Sequence, residues 1–175
     1  MDVLLVDGYN IIHAWPQLHS LVNLVGLDAA RDKLIEIMGD YRGVSGERII
    51  VVFDAYHTQR IGYTKEKRFG VELVYTRRGE TADHYIERLI SEINPRDVGL
   101  IRVATSDSTE QTVIMGRGGI RVSAQELLGY VQQAIHRRER IARQQQGVKP
   151  NTLENSLPAD VREKLLQMIR EGNKR

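Results

Sequence analysis

The feature that most constrains this chain is a repeated alternation: a short branched apolar run, then a segment with helical spacing. Val3-Leu4-Leu5-Val6 is continuously apolar, and Ile49-Ile50-Val51-Val52-Phe53 is a second such run rich in β-branched residues. Continuous runs of this length are strands covered on both faces, the usual state in a parallel sheet. Residues 71–76, 100–104 and 120–122 read as three further strands. Asp28 is placed to cap a helix with Ala30, Leu34, Ile37, Met38 and Tyr41 on one stripe, ended by Gly43 and Gly46. Thr81 is placed to cap another, with Tyr85, Ile86, Leu89, Ile90 and Ile93 on one face and Asn94-Pro95 as its stop. A short helix is expected after Ser108, closed by Gly116, Gly118 and Gly119. Ser123 and Glu126 have capping-box spacing and open a long helix to about Gln146. Strands alternating with helices imply βαβ units, right-handed crossovers and a mostly parallel sheet of five strands.

With 41% hydrophobic residues in 175, the chain can bury a full core without metal or disulfide staples. It has no cysteine, which excludes disulfides, thiol catalysis and thiolate zinc sites. The N-terminus lacks the basic n-region of a signal peptide, and no apolar stretch is long enough to span a membrane. A cytoplasmic protein is expected. Residues 1–146 read as one domain, and residues 147–175 as a polar, proline-containing linker plus a terminal amphipathic helix. That helix carries Val161, Leu165, Met168 and Ile169 on one stripe and is expected to dock on its own domain.

The net charge of +2 hides two local basic runs. Arg60, Lys65, Lys67, Arg68, Arg77 and Arg78 face only Glu66 and Glu72 in the same stretch. Arg137, Arg138, Arg140 and Arg143 form the second run. Localised basic surface suits a phosphate-rich partner, although solvated faces give the same pattern. Tyr9, Trp15, Tyr63 and Tyr75 are candidates for base stacking; core packing is the expected role for Tyr75, and stacking suits Tyr63 among its basic neighbours.

Four aspartates stand where chemistry is expected. Asp7, Asp54 and Asp107 each follow a strand, and Asp83 lies in the first turn of a helix. The carboxyl ends of parallel strands form the ligand-binding edge of an open α/β sheet, so these residues converge on one edge. Each alone has an ordinary reading: a turn or cap residue for the strand-end aspartates, a helix-dipole partner for Asp83. Asn10 fits an Asx turn, or the orientation of a water or phosphate. Together, the close carboxylates repel unless a cation neutralises them. Mg²⁺ or Mn²⁺ suits an all-oxygen set, and either can support phosphodiester hydrolysis. Other chemistries fit less well. No Gly-x-Gly-x-x-Gly follows the first strand, and there is no Walker-type Gly-Lys-Ser or Gly-Lys-Thr. Tyr9 stands where a haloacid-dehalogenase-like phosphatase needs a second aspartate, and the five histidines are scattered.

Asp7-Gly8-Tyr9-Asn10 resembles the opening motif of NYN domains, and Phe53-Asp54, Glu80-Thr81-Ala82-Asp83 and Thr105-Ser106-Asp107 match the later acidic motifs in order and spacing. The ordered set resembles the bacterial YacP-like group over roughly residues 1 to 145. That resemblance implies a PIN-like, Rossmann-like fold: three layers with a central sheet and a C-terminal helical extension. It implies Mg²⁺- or Mn²⁺-dependent RNA cleavage, with Asp7, Asp83 and Asp107 as metal-site acids and Asn10 and Asp54 at the same edge. It further implies an endoribonuclease that cuts messenger RNA in association with the translating ribosome, with Arg60, Lys65, Lys67, Arg68, Arg77 and Arg78 as candidate RNA or ribosome contacts. The alternative is a non-catalytic RNA- or ribosome-binding module on the same scaffold. A structure-specific DNA nuclease ranks last, because no helical arch or DNA-binding insertion is evident.

Overall fold

A computed structural model describes residues 1–54, 64–94, 97–105 and 119–147, with side chains described to residue 143. It divides into two compact units, Met1–Arg137 and Arg138–Arg175. In the second, the described part is residues 138–147, a continuous helix. The expected terminal helix with Val161, Leu165, Met168 and Ile169 lies outside the described residues, as does the short helix expected after Ser108.

The chain runs β1 (Val3–Asp7), α1 (Gly8–Ala14), α2 (Pro16–Leu24), α3 (Leu27–Ser45), β2 (Arg48–Phe53), β3 (Thr64–Arg68), β4 (Val71–Tyr75), α4 (Ala82–Glu92), β5 (Ile101–Ala104), β6 (Ile120–Val122) and α5 (Ala124–Gly147). The strands form one six-stranded sheet in the order β3-β4-β2-β1-β5-β6. Every neighbouring pair is parallel except β3 with β4. The expected three-layer α/β fold is therefore present, with six strands rather than five. β1 is buried on both faces because its alternate residues feed two cores. Leu4 and Val6 pack with α1, α2, α3 and α5, whereas Val3 and Leu5 pack with α4.

The additional strand is β3. Its sequence, Thr-Lys-Glu-Lys-Arg, has no apolar side, so it carries none of the alternation that marks a half-buried strand. It lies at the sheet edge, where charged residues prevent further strand pairing. Residues 8–24, to which the sequence pattern assigns no element, form α1 and α2. These helices have 7 and 9 residues, too few to repeat an apolar stripe, and Pro16 at the start of α2 separates them. The indole N–H of Trp15, at their junction, donates to the Ala124 carbonyl at 2.8 Å and ties them to the start of α5. Asp28 does not cap α3. Gly26 holds that position with φ 127°, and Asp28 instead pairs with Arg31 at 2.7 Å. The other caps form as expected. Thr81 Oγ accepts from the His84 N–H at 3.3 Å, and Glu126 and Ser123 exchange bonds at 2.7 and 3.2 Å. α3 ends at Gly46 in the left-handed conformation.

Candidate active site

The sheet order places the topological switch at β1. The chain steps from β1 to β2 and β4 on one side, then returns to β5 on the other. Ligands of open α/β sheets bind outside the carboxyl ends of the strands at such a point. The residues at this edge are Asp7 at the end of β1, Asp54 after β2, Thr76 after β4 and Thr105 after β5.

Asp7 caps α1, which starts without an intervening loop, and its carboxylate accepts the Asn10 N–H at 3.1 Å. Asn10 thus supplies a backbone donor that fixes one Asp7 oxygen. Gly8 is required by the same turn. A Cβ there would lie 2.2 Å from the Phe53 ring, which packs across it, meets Tyr9 edge-to-face and stacks on Tyr75. Tyr9, Trp15 and Tyr75 are 6%, 1% and 2% exposed, so all three are core residues, as expected for Tyr75. Tyr63 lies outside the described residues.

Asp83 is the second residue of α4, and its Oδ1 is buried with no hydrogen-bond partner among the described residues. Asp54 accepts a hydrogen bond from the Ala82 N–H, the first amide of α4. The three carboxylates act on one another. Burial pushes the Asp7 carboxyl from its ordinary 3.8 up to about 7, opposed by the Asn10 N–H and reinforced by the negative charges of Asp83 and Asp54. Asp107 lies outside the described residues; Thr105, fully buried, is the last described residue before it. Among the described residues no three acidic or histidine side chains make a complete metal site. What they do provide fits part of one: a buried carboxylate oxygen without a donor, beside an acid held against its own charge. A hard divalent cation with oxygen ligands relieves both.

The basic residues separate by position. Arg77 and Arg78 are exposed and follow β4 directly at the carboxyl edge, in a turn closed by the Glu80 N–H on the Arg77 carbonyl at 2.9 Å. Gly79, with φ 89°, takes the left-handed position of that turn. Lys65, Lys67 and Arg68, whose charged stretch reads as a loop in the sequence, lie instead on β3. Thr64 pairs with Tyr75 at the carboxyl edge and Arg68 with Val71 at the far end, so β3 leads away from the acidic cluster. Arg68 is engaged by Asp32 at 2.7 Å. Arg60 lies outside the described residues. No sequence pattern marks Arg31, whose guanidinium donates to the Tyr9 hydroxyl at 3.2 Å and lies 5.9 Å from the Tyr75 ring centre. It brings a cation, 16% exposed along its side chain, to this end of the sheet.

Residues 4–170 match the YacP-like NYN domain. The chain belongs to that family. It is 45% identical over 150 residues to the uncharacterized protein YacP of Bacillus subtilis (strain 168), covering 86% of each chain. It is also similar to two crystal structures of Rae1 (YacP) from Bacillus subtilis, each at TM-score 0.72 and 40% identity. For a point mutant the match covers 96% of this chain and 99% of that one; for the other structure, 99% and 95%. The YacP-like NYN family is of nuclease type, with RNA as its substrate class, and NYN and PIN-like nucleases generally use divalent metals. No helix among the described residues is long and apolar enough to cross a membrane.

Proposed function

We propose that this chain is a divalent-metal-dependent endoribonuclease of the cytoplasm that cleaves messenger RNA in association with the translating ribosome. The observation that carries the reading is the unbalanced carboxylate cluster at the switch point, above all the partnerless buried oxygen of Asp83 beside a destabilised Asp7. A protein that only bound RNA would gain nothing from concentrating negative charge where phosphates must approach. The ribosome association rests on the family resemblance alone.

Asp7, Asp83 and Asp107 are the residues that would hold Mg²⁺ or Mn²⁺. Such an ion supplies a neutralising charge, lowers the pKa of a bound water and stabilises the phosphorane-like charge of hydrolysis. The chain's own part is to prepare this site. Asn10 fixes one Asp7 oxygen, and loss of the Asp7 proton near neutral pH readies the carboxylate. Arg77 and Arg78 flank the edge and draw the RNA backbone towards an otherwise repulsive cluster; Lys65 lies near the same end of β3.

Incubation of the protein with RNA and with DNA, in Mg²⁺, Mn²⁺ or chelator, tests the activity. Internal cuts in RNA that disappear with chelator are expected. Binding of RNA without cleavage under every metal condition selects the non-catalytic module. Mapping of cut ends on translating messenger RNA tests the ribosome association. Neutralising Arg77 and Arg78 should weaken RNA affinity and flatten its dependence on log salt by about 0.7 per lost contact. An unchanged slope assigns both arginines to solvation.

A further inference from the structure

We propose that Asp54 is a positioning residue: its carboxylate holds the first amide of α4 and thereby sets where Asp83 meets Asp7. The inference rests on the metal-site reading above and assigns Asp54 a role different from that of a ligand.

The argument begins with the orphan amides of a helix start. The first N–H groups of α4 have no carbonyl within the helix to receive them. Thr81 Oγ takes the His84 N–H at 3.3 Å, leaving the Ala82 N–H to be satisfied from outside the segment. Asp54 does so, from a position 28 residues earlier in the chain. Ala82 is 2% exposed, so its amide could not turn to bulk water instead. A donor left unsatisfied there would be costly, and a carboxylate at a helix N-terminus also meets the positive end of the helix dipole.

Next comes the anchor. Asp54 follows β2, which lies between β4 and β1 inside the sheet. Its preceding residue, Phe53, is fully buried and packed between Tyr9 and Tyr75. By contrast, α4 is reached through the exposed turn of Arg77, Arg78 and Gly79. The Asp54–Ala82 bond therefore joins the start of α4 to the rigid centre of the sheet. Asp83 is the next residue along, and its Oδ1 is the buried oxygen without a partner. Fixing Ala82 restricts where that oxygen can lie relative to Asp7. Partners that orient a ligand from behind typically change metal affinity 10- to 100-fold when removed, roughly speaking.

The experiment measures Mn²⁺ affinity of the full chain for wild type, D7N, D54A, D54N, D83N and the D54A/D83N double variant, with amide exchange at Ala82 and thermal unfolding recorded for each. Asn caps helices as well as Asp does, so D54N keeps an acceptor while losing the charge. The expected result is that D54A binds Mn²⁺ about 10-fold or more weakly and exchanges its Ala82 amide faster. D54N should stay within about threefold of wild type, with Ala82 still protected. The double variant should bind no more weakly than D83N alone, because Asp54 acts through Asp83. The proposal is overturned if the D54A and D83N losses multiply, which makes Asp54 an independent ligand. It is also overturned if D54N is as weak as D54A, or if Ala82 exchange ignores D54A. Failure of the underlying metal reading has a separate signature: Mn²⁺ affinity unmoved by D7N and by D83N, neither of which alters Asp54.

Discussion

The two ends of the sheet treat carboxylates in opposite ways. At the amino end of β2, Arg48 reaches both oxygens of Glu72 at 2.8 Å across the strands, and Glu47 meets Arg102 through Oε1, although its Oε2 is buried without a hydrogen-bond partner among the described residues. The Arg48 hydrogen bonds hold the Glu72 carboxyl below its ordinary range. At the carboxyl end, burial and the charges of Asp83 and Asp54 push Asp7 the other way, to about 7. One acidic residue is stabilised as an anion by a neighbour of opposite sign; the other is pushed towards its neutral form by burial, with neighbouring carboxylates adding to the push. The second arrangement leaves negative charge uncompensated at a ligand-binding edge, which is what the proposed cation site requires.

The largest expected effect separates the two ends outright. D7N should lower RNA cleavage by about a hundredfold or more while circular dichroism and thermal unfolding report an intact fold. D107N should do the same. E72Q, at the other end, should leave the cleavage rate at the wild-type value. Full cleavage by both D7N and D107N breaks the assignment of the carboxyl edge as the active site.

A second expectation concerns pH in the absence of metal. The folded pKa of Asp7 lies above its ordinary value of 3.8, so the folded state prefers the protonated acid. The associated stability is complete below about pH 4 and is lost as pH rises towards about 7. D7N has no such proton to lose. Its advantage over wild type in urea unfolding should therefore open between those values and reach on the order of a few kcal/mol above neutrality. Saturating Mn²⁺ should narrow the gap by stabilising the wild-type fold alone. A gap that is flat with pH would show that Asp7 is not held against its charge.

Much of this layout is legible in the residues, and the exceptions have physical causes. β1, β2, β4 and β5 announce themselves because both faces are largely buried and all but one residue of each is apolar. β3 is silent because an edge strand of alternating charges looks like a solvated loop. α1 and α2 are silent because 7 and 9 residues cannot repeat a stripe. Asp7, Asp54 and Asp83 stand out by following strands or opening a helix. The bond from Asp54 to the Ala82 amide does not, since 28 residues separate the partners and only the packed sheet brings them together. The same is true of Arg31, whose approach to Tyr9 and Tyr75 depends on how α3 lies across the sheet.

The smallest expected effect sharpens the comparison from the stable end. The Arg48 and Glu72 side chains are 40% and 35% exposed, so water and salt screen their attraction. A bidentate pair of this kind contributes about 0.5 to 1 kcal/mol, well below what a buried pair would show. Because the folded pKa of Glu72 is depressed, this contribution is present above the ordinary value of 4.5 and lost as pH falls through the lowered one. That is the reverse of Asp7, which costs stability as pH rises. A double-mutant cycle on Arg48→Met and Glu72→Gln, followed by urea unfolding at pH 7 and at pH 3, measures the coupling directly. It should be about 0.5 to 1 kcal/mol at pH 7, smaller at pH 3 and weakened by added salt. A coupling that grows on acidification would mean that Glu72 is not held as an anion, and the contrast between the two ends of the sheet would fall.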